Sequence, residues 1–239
     1  MQTSFSFFLI LLVRSSHADL KILVSGYNQD MVLYNLHSNR SLSLETNWSV
    51  DTNMSWVDVR KMACTYCNDM IYAIHEVDRY EGVTGGAVSR WRLDESGPVR
   101  QEWVSVGGGP AHLLVDTNQA MAYSANYGNG SWSAISLLWA GNAWKLDKTV
   151  VTALYGPGCR DQSHPHQTVT LGSLVWVVDL GCDTIYHYNK TEKGLVRVGD
   201  TQVGLGRGPR HMALLPAKNM AILVCEVQNY IQVYRYKGS

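Results

Sequence analysis

The feature that most constrains the fold of this chain is an internal repeat of about 50 residues. In each repeat an apolar segment ends in a small or polar residue, a loop follows, and a second segment alternates apolar with polar side chains. The residues that end the apolar segments are spaced 50, 50, 53 and 47 apart, and they are Gly26, Glu76, Asn126, Asp179 and Glu226. Self-similarity at a fixed period of this length indicates a repeat architecture.

A second anchor precedes the apolar segment in three of the repeats, and it places histidines at His112, His166 and His211, each just after a proline. Short strands and turns without helical periodicity, at this repeat length, are typical of propeller blades with four antiparallel strands. We therefore predict an all-β β-propeller with about five repeats. The strand after the proline is expected to be innermost, the apolar strand second and the alternating strand third, with 194–198 as the candidate outermost strand of the fourth repeat. A β-sandwich is the alternative, but it gives no reason for the period.

The first eighteen residues are typical of an export signal. An apolar stretch over 5–13, too short to cross a bilayer at roughly 20 residues, precedes small residues at Ser16 and Ala18. Cleavage after Ala18 would leave 19–239 as the propeller domain. We therefore expect a secreted, extracellular protein with no membrane contact after cleavage. The alternative is that the apolar stretch is a buried first strand.

Export would make five Asn-X-Ser/Thr triplets acceptors for glycans. The candidate glycosylation sites are Asn39, Asn47, Asn53, Asn129 and Asn189. The first three lie close together and predict a solvated outer loop between residues 39 and 53.

Five cysteines in an oxidising compartment allow at most two internal disulfides. Cys159 and Cys182 are the predicted pair, because both fall in loops of one repeat. Cys64 and Cys67 form a lone C-x-x-C motif without the second ligand pair of a zinc site or the βαβ context of a redox site. Cys225 lies inside an apolar strand and is predicted to be a buried, inert residue.

Charge and glycine motifs exclude several classes of function. Lysine and arginine number 20 together, as do aspartate and glutamate, so no basic field exists to hold a nucleic acid. The glycine runs at 107–109 and 204–208 precede strands rather than helix starts, which argues against dinucleotide and P-loop sites. No G-x-S-x-G elbow is present, which argues against a serine hydrolase of the usual kind. We expect no cofactor.

Three pairs of motifs resemble successive blade signatures of the lactonase-type seven-bladed propellers, the family of 6-phosphogluconolactonase and carboxymuconate cyclase. They are 107–112 with 125–127, 160–166 with 179–183, and 206–211 with Glu226. The resemblance covers most of residues 20–236. It implies a ring of seven blades, of which about five are present here, with the site in the central channel. It also implies hydrolysis of a sugar lactone, as in bacterial members, or reversible lactonisation of a carboxymuconate, as in fungal ones.

The resemblance further implies the candidate site residues. Both chemistries need cations to hold carboxylate or phosphate and an acid or base to move a proton. The candidate catalytic residues are His164, His166 and Glu226, and the candidate substrate-binding residues are Arg160, Arg210, His211 and His112. The arginines would clamp an anion, His164 or His166 would carry the proton, and Glu226 would be a partner base or orienter. The expected partner is a small-molecule lactone or carboxylate.

Structural roles are the alternative for several of these residues. His112 and His211 recur at one place in the repeat, as side chains that bond the backbone of a neighbouring blade do. Glu226 occupies the same position in its repeat as Glu76, Asn126 and Asp179, so a structural role is the alternative for it as well. His164 and His166 lack a third ligand fixed by spacing, so we predict no metal site.

The last two blades of the family's ring have no counterpart in this sequence. A channel open to water on one side loses the low-dielectric setting that strengthens charged groups, so we expect catalysis to be weakened or lost. The alternative function is a secreted, non-catalytic binding module for a protein or glycan. Open blade edges would also allow oligomers. An enzyme needs Arg160, Arg210 and Glu226 to point into one pocket, whereas a binding module does not.

Overall fold

The computed structural model describes residues 9–14, 20–60, 70–94, 96–154, 159 and 161–237. These residues form five antiparallel sheets that are arranged as the blades of a propeller. The prediction of an all-β propeller with about five blades is therefore confirmed. Within the described ranges, no helix is both long enough and apolar enough to cross a membrane.

The strands of the first two blades have the following bounds. The first blade contains β1 (Leu9–Arg14), β2 (Leu20–Ser25), β3 (Asp30–Leu36) and β4 (Leu42–Ser49). The second contains β5 (Trp56–Arg60), β6 (Met70–His75), β9 (Ala87–Asp94) and β10 (Gly97–Ser105), with a short hairpin of β7 (Arg79–Tyr80) and β8 (Val83–Thr84) inserted after β6.

The remaining three blades follow the same plan. The third contains β11 (Pro110–Asp116), β12 (Met121–Asn126), β13 (Ser131–Ala140) and β14 (Ala143–Ala153). The fourth contains β15 (Pro165–Leu171), β16 (Leu174–Asp179), β17 (Thr184–Thr191) and β18 (Gly194–Gln202). The fifth contains β19 (Pro209–Leu215), β20 (Met220–Cys225) and β21 (Tyr230–Arg235), with one 3-10 turn at Pro216–Lys218.

Strand order within the blades agrees with the prediction. Each strand pairs with the next one along the chain, and β6 pairs with β9 across the inserted hairpin. The first strands of successive blades, β1, β5, β11, β15 and β19, contact one another in that order and form the inner wall. Three of these strands begin at the predicted proline anchors, and the outermost strand β18 begins at Gly194, as expected.

The hydrophobic core consists of four layers, one between each pair of neighbouring blades. Alternate residues of a strand point to opposite faces of the sheet. On β6, Ile71 and Ala73 pack against the first blade, whereas Tyr72 and Ile74 pack against the third. Burial on both faces explains why the second strand of this blade is an unbroken apolar run from Met70 to Ile74.

Two stretches of the first blade bear on the sequence predictions. The predicted outer loop between residues 39 and 53 is wrong in part, because Leu42–Ser49 pair with β3 as strand β4; the side chains are nevertheless largely solvated. Leu9–Arg14 pair with β2, as the strand alternative for the apolar N-terminal stretch requires. Cleavage after Ala18 would remove β1, and the export signal stays a prediction.

The predicted disulfide between Cys159 and Cys182 is confirmed. Cys225 is a buried free thiol, as expected. Cys64 and Cys67 lie outside the described residues. Of the candidate glycan acceptors, Asn39, Asn47 and Asn129 are exposed, whereas Asn53 and Asn189 are half-buried; their use stays a prediction.

Candidate functional site

An open cavity of about 460 Å³ lies where the inner ends of the five blades meet. Every blade contributes to its wall. The lining residues are Tyr27 from the first blade, Ser55, Trp56 and Glu76 from the second, Ala111 and Tyr127 from the third, His166 and Leu180 from the fourth, and Arg210, His211 and Glu226 from the fifth.

A β-bulge at the start of three inner strands directs side chains into this cavity. The register between the first and second strands shifts immediately after Pro110, Pro165 and Pro209. The residues left without a pairing partner are Ala111, His166 and Arg210, all of which line the cavity. A bulge changes the direction in which a side chain points. The same local irregularity therefore presents a methyl group, an imidazole and a guanidinium to one space.

Arg210 and Glu226 form an ion pair inside the cavity. Arg210 Nε lies 2.6 Å from Glu226 Oε2, and the carboxylate side chain is 55% exposed. The loop that leads into Arg210 is fixed by the buried Asp183, whose two oxygens accept hydrogen bonds at 2.7 Å from the N–H groups of Gly206 and Gly208. The position of the Arg210 guanidinium is thus set by the fourth blade as well as by the fifth blade, to which Arg210 belongs.

A second carboxylate, Glu76, faces the cavity from the second blade. The Tyr27 hydroxyl donates a hydrogen bond to it. Burial raises the pKa of Tyr27 to about 12, the negative charge of Glu76 and this hydrogen bond add to the rise, and Arg210 opposes it. The described lining therefore contains two glutamates, one arginine and two tyrosines, Tyr27 and Tyr127.

Aromatic rings from four blades meet at the centre of the site. The ring centroid of His211 lies 5.0 Å from that of His166, 5.7 Å from Trp56 and 6.2 Å from His112. Burial, with the nearby Arg210 and His211, lowers the pKa of His166 to about 3. Burial and Arg210 lower the pKa of His211 to about 4. Burial and the two other histidines hold the pKa of His112 well below its usual range. All three imidazoles are therefore neutral at pH 7.

His164 lies beside this cavity and is not part of its lining. Its ring stacks on Tyr127 at a centroid distance of 4.3 Å, and its Nδ1 donates a hydrogen bond to the Tyr127 carbonyl oxygen at 2.8 Å. Its backbone N–H donates to Asp179 Oδ1 at 2.8 Å. Of the two histidines predicted as proton carriers, the structure brings only His166 into the shared space.

The predicted site residues thus divide into groups. One cavity is lined by His166, Arg210, His211 and Glu226. His112 is not in the lining, but its ring lies 6.2 Å from that of His211. His112 Nδ1 also accepts a hydrogen bond at 3.5 Å from the Thr168 N–H of the next blade, which is the contact expected from the structural alternative. The enzyme prediction required Arg160, Arg210 and Glu226 to point into one pocket. Arg210 and Glu226 do so, and Arg160 lies outside the described residues.

Several lining residues were not among the sequence-predicted site residues, although the repeat contained the signal for them. Tyr27, Tyr127 and Leu180 each follow directly after a repeat anchor, and Glu76 is an anchor itself. Trp56 begins β5 and Ser55 directly precedes it, at a point where the second repeat lacks the proline that marks the later ones.

The three histidines do not form a metal centre. Within the described part of the chain, no group of three or more His, Cys, Asp or Glu side chains has an arrangement that could hold a metal ion.

Comparison with known proteins agrees with this architecture. Residues 21–239 match the family described as "Lactonase, 7-bladed beta-propeller". This chain belongs to the lactonase family of seven-bladed β-propellers. The resemblance seen in the three blade signatures is therefore confirmed.

Individual lactonase-family relatives are distant in sequence. The chain is 26% identical over 178 residues to a 6-phosphogluconolactonase of Bacillus subtilis, covering 71% of this chain and 49% of that protein. It is 28% identical over 172 residues to a 6-phosphogluconolactonase of Pectobacterium carotovorum, covering 70% of this chain and 49% of that protein. The chain thus spans about half the length of the curated relatives it matches.

A solved structure shows the same fold. A protein from Lactobacillus plantarum superposes with a TM-score of 0.77 at 26% identity, covering 92% of this chain and 64% of that one. The blades described here therefore correspond to 64% of that protein's chain.

Proposed function

We propose that this chain hydrolyses the ester bond of a sugar lactone in the cavity between its blades. Membership of the lactonase family and the names of the two 6-phosphogluconolactonase relatives support this class of reaction. The observation that carries the proposal is the Arg210–Glu226 ion pair, placed next to the neutral imidazole of His166 in one open cavity. A carboxylate can accept a proton from the attacking water, and a guanidinium can stabilise the negative charge that develops on the carbonyl oxygen.

Each group has a role that follows from its charge. Water attacks the lactone carbonyl carbon while the Glu226 carboxylate takes a proton from it. The negative charge that develops on the carbonyl oxygen is stabilised by the Arg210 guanidinium. The ring C–O bond then breaks, and the leaving alkoxide receives the proton from Glu226, so that one water is consumed and one hydroxy acid is formed.

His166 contributes as a neutral group. With its pKa lowered to about 3, the imidazole stays uncharged at pH 7. It can therefore orient the attacking water or a ring hydroxyl by hydrogen bonding without competing with Arg210 for negative charge. This assigns orientation to His166 and proton transfer to Glu226.

The experiment is lactone hydrolysis by the purified chain, measured against the spontaneous rate. Arg210→Met removes the oxyanion partner and is expected to lower kcat about 10²–10³-fold, the usual effect of losing one such donor. Arg92→Met is the matched control, because Arg92 is a surface arginine paired with Asp94, away from the cavity. Wild-type hydrolysis no faster than that of Arg210→Met would contradict the proposal and favour the binding-module alternative.

We also propose that the chain is exported. The Cys159–Cys182 disulfide supports an oxidising compartment, because such bonds persist mainly in exported proteins. N-terminal sequencing of the product from culture medium tests this. A product that begins at Asp19 is expected, and a product that retains β1 would contradict it.

A further inference from the structure

Tyr127 presents to the cavity a hydroxyl group that takes no part in holding the blades together. The side chain is half-buried and belongs to the lining, in the turn between β12 and β13. Within the described part of the chain this hydroxyl has no hydrogen-bond partner, and it is not one of the buried polar atoms. Tyr27, the other tyrosine of the described lining, differs because its hydroxyl donates to Glu76. The Tyr127 hydroxyl is therefore accessible and available to a ligand.

The ring of Tyr127 is packed against two histidines at the start of the fourth blade. His164 stacks on it at a centroid distance of 4.3 Å with an interplanar angle of 24°. His166 meets it edge-on, at a centroid distance of 5.8 Å and an angle of 76°. The Nδ1 atom of His164 also donates a hydrogen bond to the Tyr127 carbonyl oxygen at 2.8 Å. His164 thus fixes both the ring and the backbone of Tyr127.

His164 is itself held in one orientation. The side-chain amide of Gln162 donates a hydrogen bond from Nε2 to His164 Nε2 at 3.2 Å. Because that ring nitrogen accepts, the ring proton lies on Nδ1, as the hydrogen bond to the Tyr127 carbonyl oxygen requires. The backbone N–H of His164 donates to Asp179 Oδ1 at 2.8 Å. Both ring nitrogens are engaged by protein groups, so the imidazole acts as a support for Tyr127.

The turn that carries Tyr127 is anchored to the neighbouring loop as well. The backbone N–H groups of Gly128 and Asn129 donate to the carbonyl oxygens of Gly109 and Gly108, each at 3.2 Å. A polar group that is fixed in advance loses little conformational freedom when a ligand binds. A few such groups orient the ligand in a largely preformed pocket. The Tyr127 hydroxyl fits this description and lies in the same lining as the proposed catalytic groups.

We infer that Tyr127 contacts the substrate through its hydroxyl, which hydrogen-bonds an oxygen atom of the bound lactone, and that His164 is the positioning residue for Tyr127. The inference rests on the proposed function, because it concerns the substrate of the same cavity. It gives His164 a role other than that of proton carrier. The competing explanation is that the Tyr127–His164 stack only holds the third and fourth blades together, in which case the hydroxyl is dispensable.

Binding of the reaction products tests the contact without any need for turnover. The probes are gluconate and 6-phosphogluconate, titrated calorimetrically into the purified chain at pH 7. Tyr127→Phe is expected to raise the Kd about 3–10-fold, as the loss of one hydrogen bond does. It is expected to leave Tm unchanged, because the hydroxyl has no protein partner to lose. Tyr34→Phe, at a half-buried tyrosine of β3 outside the described lining, is the matched control and is expected to change neither quantity.

A double-mutant cycle tests the role of His164. His164→Ala is expected to raise the Kd by a similar factor, because the ring of Tyr127 loses its support. In the Tyr127→Phe background His164→Ala is expected to have little further effect, since a positioning residue acts only through the group that it positions. Effects that multiply in the double variant would overturn the assignment of His164.

Turnover of the two corresponding 1,5-lactones separates this inference from the proposed function. Tyr127→Phe is expected to raise KM with kcat unchanged, the result of losing a contact made equally in the ground state and the transition state. A wild type that binds the products, loses affinity in Tyr127→Phe and does not hydrolyse either lactone would remove the hydrolase proposal alone. Hydrolysis by the wild type with Kd and KM unchanged in Tyr127→Phe would overturn the inference alone. A lower Tm with unchanged Kd, or no binding of either product by the wild type, would overturn the inference as well.

Discussion

Asp179 provides the sharpest test of how the fourth blade is held in place. Its side chain is fully buried and accepts four hydrogen bonds. Oδ2 accepts from the Ser163 hydroxyl at 2.5 Å, and Oδ1 accepts from the backbone N–H groups of His164, Gly181 and Cys182 at 2.8, 3.0 and 3.1 Å. Burial raises the pKa of Asp179, and these four donors oppose the rise.

Two substitutions at this position separate the loss of charge from the loss of the acceptor. Asp179→Ala leaves three backbone N–H groups and one hydroxyl without a partner, at about 1–3 kcal/mol for each unsatisfied donor. Taking the lower bound for each donor, we expect the free energy of unfolding to fall by about 4 kcal/mol. Asp179→Asn keeps one oxygen for the three N–H groups, and the Ser163 hydroxyl can turn to accept from the new amide. Its expected cost is about 1 kcal/mol.

The assay is urea unfolding followed by tryptophan fluorescence and by far-UV circular dichroism. Coincident transitions establish that a two-state free energy can be used, and an unchanged slope shows that the shift in midpoint reports stability. Asp147→Ala is the control, because this exposed carboxylate accepts a surface hydrogen bond from Ser136. Equal losses for the alanine and asparagine variants would refute the reasoning, because the acceptor would then be irrelevant.

Three further predictions concern the cavity and its supports. Because burial lowers the pKa values of His166 and His211 below the 6.5 of the unfolded chain, the unfolded state binds protons that the folded state does not. The free energy of unfolding should therefore fall as the pH drops from 6.5 towards 4, by up to ~1.4 kcal/mol per pH unit for each histidine. Replacing both histidines with Gln should make the free energy of unfolding depend less on pH, which urea titrations at pH 7 and pH 5 would measure. Gly208→Ala should lower Tm and lactone turnover together, because Gly208 has φ +62° and an added Cβ would meet a valine methyl at 2.3 Å; an unchanged Tm would contradict this. Replacing both Cys159 and Cys182 with Ser should cost about 3 kcal/mol of unfolding free energy for a loop with a sequence separation of 23, and dithiothreitol should destabilise that variant less than it destabilises the wild type.

The strands of each repeat could be predicted closely from the sequence, for a local reason. A strand buried on both faces must be apolar throughout, and a strand with one solvated face must alternate. Ile71–Ile74 and Val175–Val178 show the first pattern and became second strands. By contrast, Leu42–Ser49 is a polar outermost strand with little apolar surface to bury, and its sequence looks like a loop.

The site was only partly predictable, because residues at the same position of different repeats lie in different environments. Asn126 and Asp179 are the last residues of the second strands of their repeats, and Glu76 and Glu226 follow directly after theirs. Asn126 is completely buried and hydrogen-bonded to serines of β12 and β13, and Asp179 is completely buried and hydrogen-bonded to loop residues, whereas the two glutamates face the cavity. The spacing of the repeat does not distinguish these outcomes, because they depend on which groups the fold brings next to each side chain.

By itself, the sequence determined the repeat, the all-β blades, the proline-anchored inner strands and the residue types that could do lactone chemistry, because strand periodicity is a local property. Only the tertiary structure decided which of those residues meet. It paired Arg210 with Glu226, left His164 outside the cavity and placed Glu76 and Tyr27 inside it. The lowered pKa values of His166 and His211 arise from burial and from the approach of groups on different blades, which no local pattern encodes.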